Sequence, residues 1–416
     1  MKSWFSGEAF AVIHIRNFRY YLLCRIFMTM ATLMQSVIVG WQIYAISHNV
    51  LWLGFIGLAE VIPQVSISLF AGHYIDLYNR RKIVNYTTLL LILGAVILLI
   101  YSSNAVYFAE KFGIIPIFVT IFLTGFARGI LGPAQVALLG QLVPRNLYAN
   151  AATWNSATWQ VAAVMGPAIG GLVYGFRGII PAYSMVLGLY ILSLFMIMMI
   201  KSGRHEVTET AEGVFTRISS GINFVFKTPE LLGAFSLDMF AVLFGGAVAM
   251  LPAFASDILY IGPQGLGLLR ACPAIGATFM AFILMFRPPM KNTGKILFIC
   301  VIGFGLCMIG FGLSRSFILS GLLLIISGAF DNVSVVIRGT ILQLFTPDEM
   351  RGRVASVNGI FIGSSNELGA FESGVTAKLM GLVTSVVFGG IMTLAVVFTT
   401  IKLNKPLRKL SLRNKM

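Results

Sequence analysis

The sequence predicts an all-α membrane protein with about a dozen helical spans. Three observations carry that expectation. Charged residues make up 11% of the 416 residues and apolar ones 57%, where a soluble domain carries roughly 25% charged residues. The missing charge is absent from long blocks, several of them near the length that crosses a hydrocarbon core. The basic residues that remain sit in short loops between those blocks. In lipid every backbone polar group needs an internal partner, so such blocks must be helices.

The spans fall at about 20–46, 51–75, 84–102, 114–143, 150–174, 179–200, 231–258, 265–286, 295–313, 317–346, 354–382 and 383–401. With the N-terminus inside, Arg80, Arg81 and Lys82, Arg145, Arg287 and Lys291, Arg351 and Arg353 all face the cytoplasm. The outer loops keep only Lys111, Arg177 and Arg315. With the basic residues of the N-terminus, Lys295, the 201–230 segment and the tail included, the bias is about seven to one and sets the orientation. An odd number of spans would put the basic tail from Lys402 to Lys415 outside, so an even number is expected, with both termini cytoplasmic. The first seventeen residues lack the apolar region of a cleavable signal, and the first long run holds Arg25, so it is expected to stay as the first span.

The longest cytoplasmic segment, 201–230, divides the chain. Residues 1–200 form an N-terminal six-helix bundle, and 231–416 a C-terminal six-helix bundle with a basic tail. Within the linker, Val214, Phe215, Ile218, Ile222, Val225 and Phe226 recur at helical spacing, as in a helix on a membrane surface or a soluble linker helix. The halves resemble each other. Gly125 to Arg128 parallels Gly328 to Asp331, and Pro144 follows the first glycine at the distance at which Pro347 follows the second. Repeated halves with a site near the midplane are a recurring transporter design.

The net charge of +15 is a topology signal here rather than a nucleic-acid footprint. The four cysteines, Cys24, Cys272, Cys300 and Cys307, lie in or beside apolar runs with no CxxC and read as reduced packing residues. No phosphate-binding GxxxxGK[ST] loop, nucleophile constellation or metal-ligand spacing is present, so no enzyme activity, cofactor or metal is expected.

A charge near the centre of a span costs at least a few kcal/mol and faces a cavity or a partner. Arg25 and Thr32 share a face of the first span, Arg128 and Gln135 a face of the fourth, and Asp331 and Arg338 a face of the tenth. Asp238 lies in the seventh, Glu60 and Gln64 in the second, and Glu367 near the middle of the eleventh. These are the candidates for the substrate cavity and for energy coupling; the alternative is a set of ion pairs that fixes helix register. Arg270, Asp257, Glu372 and Lys378 lie nearer the outer ends, where pairing or snorkelling is expected. No histidine is deep in a span, so carboxylates must carry any coupled proton. Glu367 ranks above Asp331 for that role, because no basic residue lies within seven positions of it on its own helix, whereas Asp331 shares a face with Arg338.

Some of these residues carry a family resemblance. Gly72, Asp76, Arg80 and Arg81 match the loop signature of the major facilitator superfamily, with Leu77 in place of a basic residue and Asn79 in place of glycine. Asparagine tolerates the left-handed conformation that a tight turn can use, so the change at Asn79 is mild. Gly166, Pro167, Gly170 and Gly171 resemble the end of the superfamily's antiporter signature, or equally a proline kink with small packing residues. The runs Asp331–Ser334, Thr346–Val354, Ser365–Gly369 and Phe371–Gly374 resemble the enterobactin-exporter-like branch. The resemblance implies two six-helix bundles around a central cavity, and alternating access in a bacterial cytoplasmic membrane. It implies proton-coupled export by a monomer, and a cytoplasmic gate formed by Asp76 and its basic neighbours. The expected cargo is a small siderophore-like or drug-like molecule, and Arg25, Arg128 and Arg338 favour an anionic or oxygen-rich one. A broad multidrug pump and a lipid transporter of the same fold are the alternatives.

Overall fold

The computed structural model describes residues 11–201 and 214–412. Every long element is a helix, and no strand occurs among the described residues. The helices are α1 (Arg16–Ser47), α2 (Val50–Leu77), α3 (Arg80–Ser103), α4 (Ala105–Phe112), α5 (Ile115–Leu142), α6 (Tyr148–Arg177) and α7 (Ile179–Met198). They continue as α8 (Val214–Lys227), α9 (Pro229–Phe244), α10 (Pro263–Phe286), α11 (Thr293–Leu313), α12 (Phe317–Phe345), α13 (Asp348–Met380) and α14 (Leu382–Leu403). Among the described residues, 11 helical segments are long and apolar enough to cross a membrane. The predicted eleventh span, α13, has the length, at 33 residues, but not the composition. It carries Glu367, Glu372, Asn358 and Asn366.

The chain packs as two units, Met1–Gln42 with Ile62–Ala211, and Ile43–Val61 with Glu212–Met416. Lipid supplies no hydrophobic drive between helices, so small residues that let backbones approach carry much of the packing. In the first unit Gly166 and Gly170, one turn apart on α6, meet α1 at Met30, Leu33 and Met34. Gly129 on α5 lies on the Gln64 carbonyl of α2, and Gly94 on α3 meets Thr120 of α5. The core holds Phe18, Tyr21, Met34, Tyr183 and Tyr190. The Tyr183 hydroxyl donates to Gln42 at 2.6 Å, and the Gln42 amide donates to Ser102 at 3.2 Å.

In the second unit α10 and α12 interlock through Gly276, which faces the Ile325 carbonyl, and Gly328, which faces that of Pro273. Helix α8 packs on α13: Gly221 lies on the Arg353 carbonyl and Val225 is fully buried. Ile222 and Phe226 on the same helix are exposed. Residues 202–213, and the side chains of Val214, Phe215 and Ile218, lie outside the described ones. The repeat seen in the sequence has a backbone counterpart. A single glycine links α6 to α7, and another links α13 to α14. Gly178 and Gly381 both have positive φ, 89° and 88°, a conformation that a side chain would strain.

The predicted seventh span is not one helix. Helix α9 ends at Phe244, and after Gly245 and Gly246 come a 3-10 turn, Ala247–Met250, a short helical piece, Leu251–Ala253, and a π turn, Phe254–Ile258. The residues on both sides are apolar, so hydropathy reads straight through. A side chain at Gly245 would meet the Phe304 ring, and one at Gly246 the Gly369 carbonyl. Gly369 and Gly389 in turn lie against the carbonyls of Leu243 and Phe244. The break is therefore the point where α13 and α14 close on the end of α9.

Asn79 does not adopt the left-handed conformation. Its φ is −60°, and its side chain caps α3 by accepting from the amides of Arg81 and Lys82 at 3.1 and 3.3 Å. Asparagine stands there because it satisfies two amides that a helix start leaves unpaired. Asn79→Ala should lower unfolding stability by about 1 kcal/mol, while Asn79→Asp keeps it. Equal denaturation midpoints for Ala and the native residue would contradict the capping role.

Candidate functional site

In the first unit, Arg25 of α1 reaches Gln135 of α5. Its guanidinium donates to Gln135 Oε1 at 2.7 Å, and the Gln135 amide nitrogen lies 3.2 Å from Met28 Sδ. Tyr21 donates to the Gln135 carbonyl at 3.3 Å and to Asn155 Oδ1 at 3.4 Å. One turn of α1 further on, Thr32 meets the Tyr190 hydroxyl at 3.1 Å and Gln35 donates to Thr124 at 3.4 Å. The Arg25 contact is a neutral amide, and its Nε–H is a buried donor with no acceptor in the structure. Gln64 presents a buried Oε1 in the same condition. Arg128 is half-buried on α5, beside the Gly129 contact.

The second unit is organised differently. Arg338 of α12 forms an ion pair with Asp238 of α9, and its Nε donates to the Ser334 carbonyl at 3.3 Å. Asp331, two turns back on α12, lies 4.0 Å from the same guanidinium. The two acids differ in access: the Asp238 side chain is 9% exposed and that of Asp331 47%. Asp238 is thus the acid held by the arginine, and Asp331 the one that faces outward from it. A cavity of about 10 Å³ beside them is lined by Asp238, Ala241, Phe304, Phe330, Asp331 and Ser334. It has room for about one water molecule.

A second charge group in this unit departs from the expectations. Gly57 of α2 lies on the Glu367 carbonyl of α13, which brings the two helices together one turn from Glu60. Arg270 of α10 interacts electrostatically with Glu367 and then Glu60, and donates to the Val248 carbonyl at 2.8 Å. Glu367 therefore has a basic neighbour, supplied by another helix, and the reason for ranking it above Asp331 does not hold. Arg270 itself was expected to pair near the outer end. It sits about 10 Å from the start of α10, too deep for snorkelling, and that depth was the available signal. Asp257, also expected near the outer end, accepts a hydrogen bond from Tyr44. No histidine, cysteine and carboxylate grouping suited to a metal occurs among the described residues.

Of the loop motif's basic residues, Arg81 is a helix-end donor and Arg80 bonds a carbonyl within the last two turns of a neighbouring helix. Arg80 donates to the Ala137 carbonyl of α5 at 2.9 Å, and Arg81 to the Met198 carbonyl at the end of α7 at 2.8 Å. Cations at helix C-termini satisfy orphan carbonyls and complement the dipole. Gly72 is exposed with open space around it. The side chain of Asp76 lies outside the described ones. Gly166 and Gly170 serve the α6–α1 contact, with Pro167 and Gly171 buried beside them.

Known proteins resemble this chain along most of its length. The multidrug efflux pump Tap of Mycolicibacterium fortuitum is 24% identical over 361 residues, covering 82% of this chain and 84% of the pump. An enterobactin exporter of Shigella boydii is 23% identical over 386 residues, covering 92% and 90%. Among solved structures, a bacterial homologue of the lysosomal transporter Spinster superposes with a TM-score of 0.69 at 14% identity, over 96% of this chain and 98% of that one. The fold is that of the major facilitator superfamily, and the chain is a multi-pass membrane transporter rather than an enzyme. The transmembrane secretion effector family matches residues 7–414, and the chain belongs to that family.

Proposed function

We propose that the chain exports a small anionic or oxygen-rich molecule across the bacterial cytoplasmic membrane by alternating access, as a monomer, and that proton entry drives it. The observation that carries the substrate class is Arg25. A half-buried guanidinium bonded to a neutral amide, with a buried Nε–H left unmatched among the described residues, is a donor set for a carboxylate, phenolate or similar oxygen ligand. The direction of transport follows the relatives, which include an efflux pump and an enterobactin exporter. The efflux pump also favours a second reading, a pump of broad drug specificity. Arg25→Gln should weaken binding of an anionic catecholate by about tenfold, the worth of a charge-assisted hydrogen bond. Arg25→Lys should restore part of it. Unchanged affinity in both variants, measured by calorimetry in detergent, removes Arg25 from the site.

Energy coupling is assigned to carboxylates placed beside arginines, Asp331 near Arg338 and Glu367 near Arg270. A carboxylate out of water favours its protonated form unless a cation holds its charge, so each can exchange an arginine for a proton. In proteoliposomes under an imposed pH gradient, Asp331→Asn and Glu367→Gln should each stop gradient-driven export while substrate still binds. Normal export with intact pH dependence in both variants would move the coupling to Asp238 or Glu60.

The loop charges support a topology with both termini inside, residues 1–200 and 231–416 forming the two halves, and 201–230 linking them in the cytoplasm. Reporter fusions after Asn49, Lys111, Arg177, Pro263 and Arg315 should report an outside location. Inside signals at two of them contradict this topology.

A further inference from the structure

We infer that Arg270 is a positioning residue that ties the break in the seventh membrane segment to the acid pair Glu60 and Glu367, so that the charge on that pair sets how firmly the break is held. The inference extends the proton-driven reading given above to a residue and a backbone segment that reading does not use.

A break in a membrane helix leaves carbonyls without their usual amide donors, and out of water each needs another partner. The Val248 carbonyl, in the 3-10 turn after Gly246, accepts the Leu251 amide and also, from another helix, Arg270 Nη1 at 2.8 Å. The same guanidinium is drawn to Glu367 on α13 and Glu60 on α2. Backbone contacts bring these elements to one place. Gly57 rests on the Glu367 carbonyl, one turn from Glu60. Gly369, two residues past Glu367, rests on the Val242 and Leu243 carbonyls at the end of α9, and Gly246 rests on Gly369. The break, the acid-bearing helix and the α2 end thus converge on Arg270.

Two carboxylates around one guanidinium leave a net charge of −1, which one proton removes. With both acids charged, Arg270 is held between them and keeps Val248 bound. With Glu367 protonated, the guanidinium keeps only its attraction to Glu60 and the turn is held less firmly. Other charges near the group are committed elsewhere or lie further along their helices. Asp257 is bonded by Tyr44, and on α12 Asp331 belongs to the Arg338 group. Glu372 and Lys378 follow Glu367 by more than a turn on α13, and Cys272 follows Arg270 by two residues on α10.

Amide hydrogen exchange across 242–253 of the full-length protein in nanodiscs tests this without any gradient. Rates are corrected for intrinsic exchange chemistry at each pH. Arg270→Gln should speed exchange there by about tenfold. The native protein should exchange faster in mild acid than in mild base, and Glu60→Gln/Glu367→Gln should show no such difference. Unchanged exchange in Arg270→Gln overturns the inference, as does a pH effect that persists in the double acid variant. Should Arg270→Gln fail to insert, Arg270→Lys replaces it: intermediate protection supports the inference and native protection overturns it. Because this readout requires no transport, export that proves insensitive to a proton gradient would defeat the coupling reading separately.

Discussion

Every N–H and C=O of this chain that lies out of water must be bonded within the protein, and most features of the structure answer that requirement. Continuous helices answer it along the spans. At the ends, side chains do so: Asn79 takes two amides at the start of α3, and Arg80 and Arg81 take carbonyls near the ends of α5 and α7. The break after Phe244 answers it by other means. Glycines on α13 and α14 let those helices close on the end of α9, and Arg270 adds a second donor to the Val248 carbonyl, which the Leu251 amide also bonds.

Charge is handled by the same rule, with different outcomes in the two units. In the second, each arginine deep in the helices meets two carboxylates, Arg338 with Asp238 and Asp331, and Arg270 with Glu367 and Glu60. Such groups can fix helix register. In the first, Arg25 meets an amide, a tyrosine-lined wall and an unmatched donor position. A half-buried positive charge bonded to a neutral group suits a ligand that brings its own negative or oxygen-rich face.

The long helices and most of their limits were legible in the sequence, although α13 lacks an apolar span's composition and the short α4 falls where an outer loop was read. Backbone satisfaction in lipid depends on apolar length alone, and length is a local property. The polar stripes of α1, α5 and α12 were legible for a similar reason, since helical spacing puts Arg25 with Thr32 and Asp331 with Arg338 whatever surrounds them. The same locality misled in two places. Asn79 was read from its tolerance of a left-handed backbone, yet it works through its side chain as a cap. Helix α9 was read through its own end, because hydropathy does not register a glycine pair whose purpose is contact with Gly369 and Phe304.

By itself the sequence determined the membrane class, the helical elements, the transporter family and which ionisable residues lie within the helices. Which of those residues meet was decided only by the tertiary structure. Glu367 has no basic neighbour along its own helix, but α10 brings Arg270 to it; Asp331 shares a face with Arg338, but α9 brings Asp238 closer. The physical reason is that partners for buried charge come from other helices, at sequence separations that carry no periodic signal. The close approach that joins them depends on missing side chains, at Gly57, Gly246 and Gly369, whose purpose becomes visible only when the opposing backbone is in place.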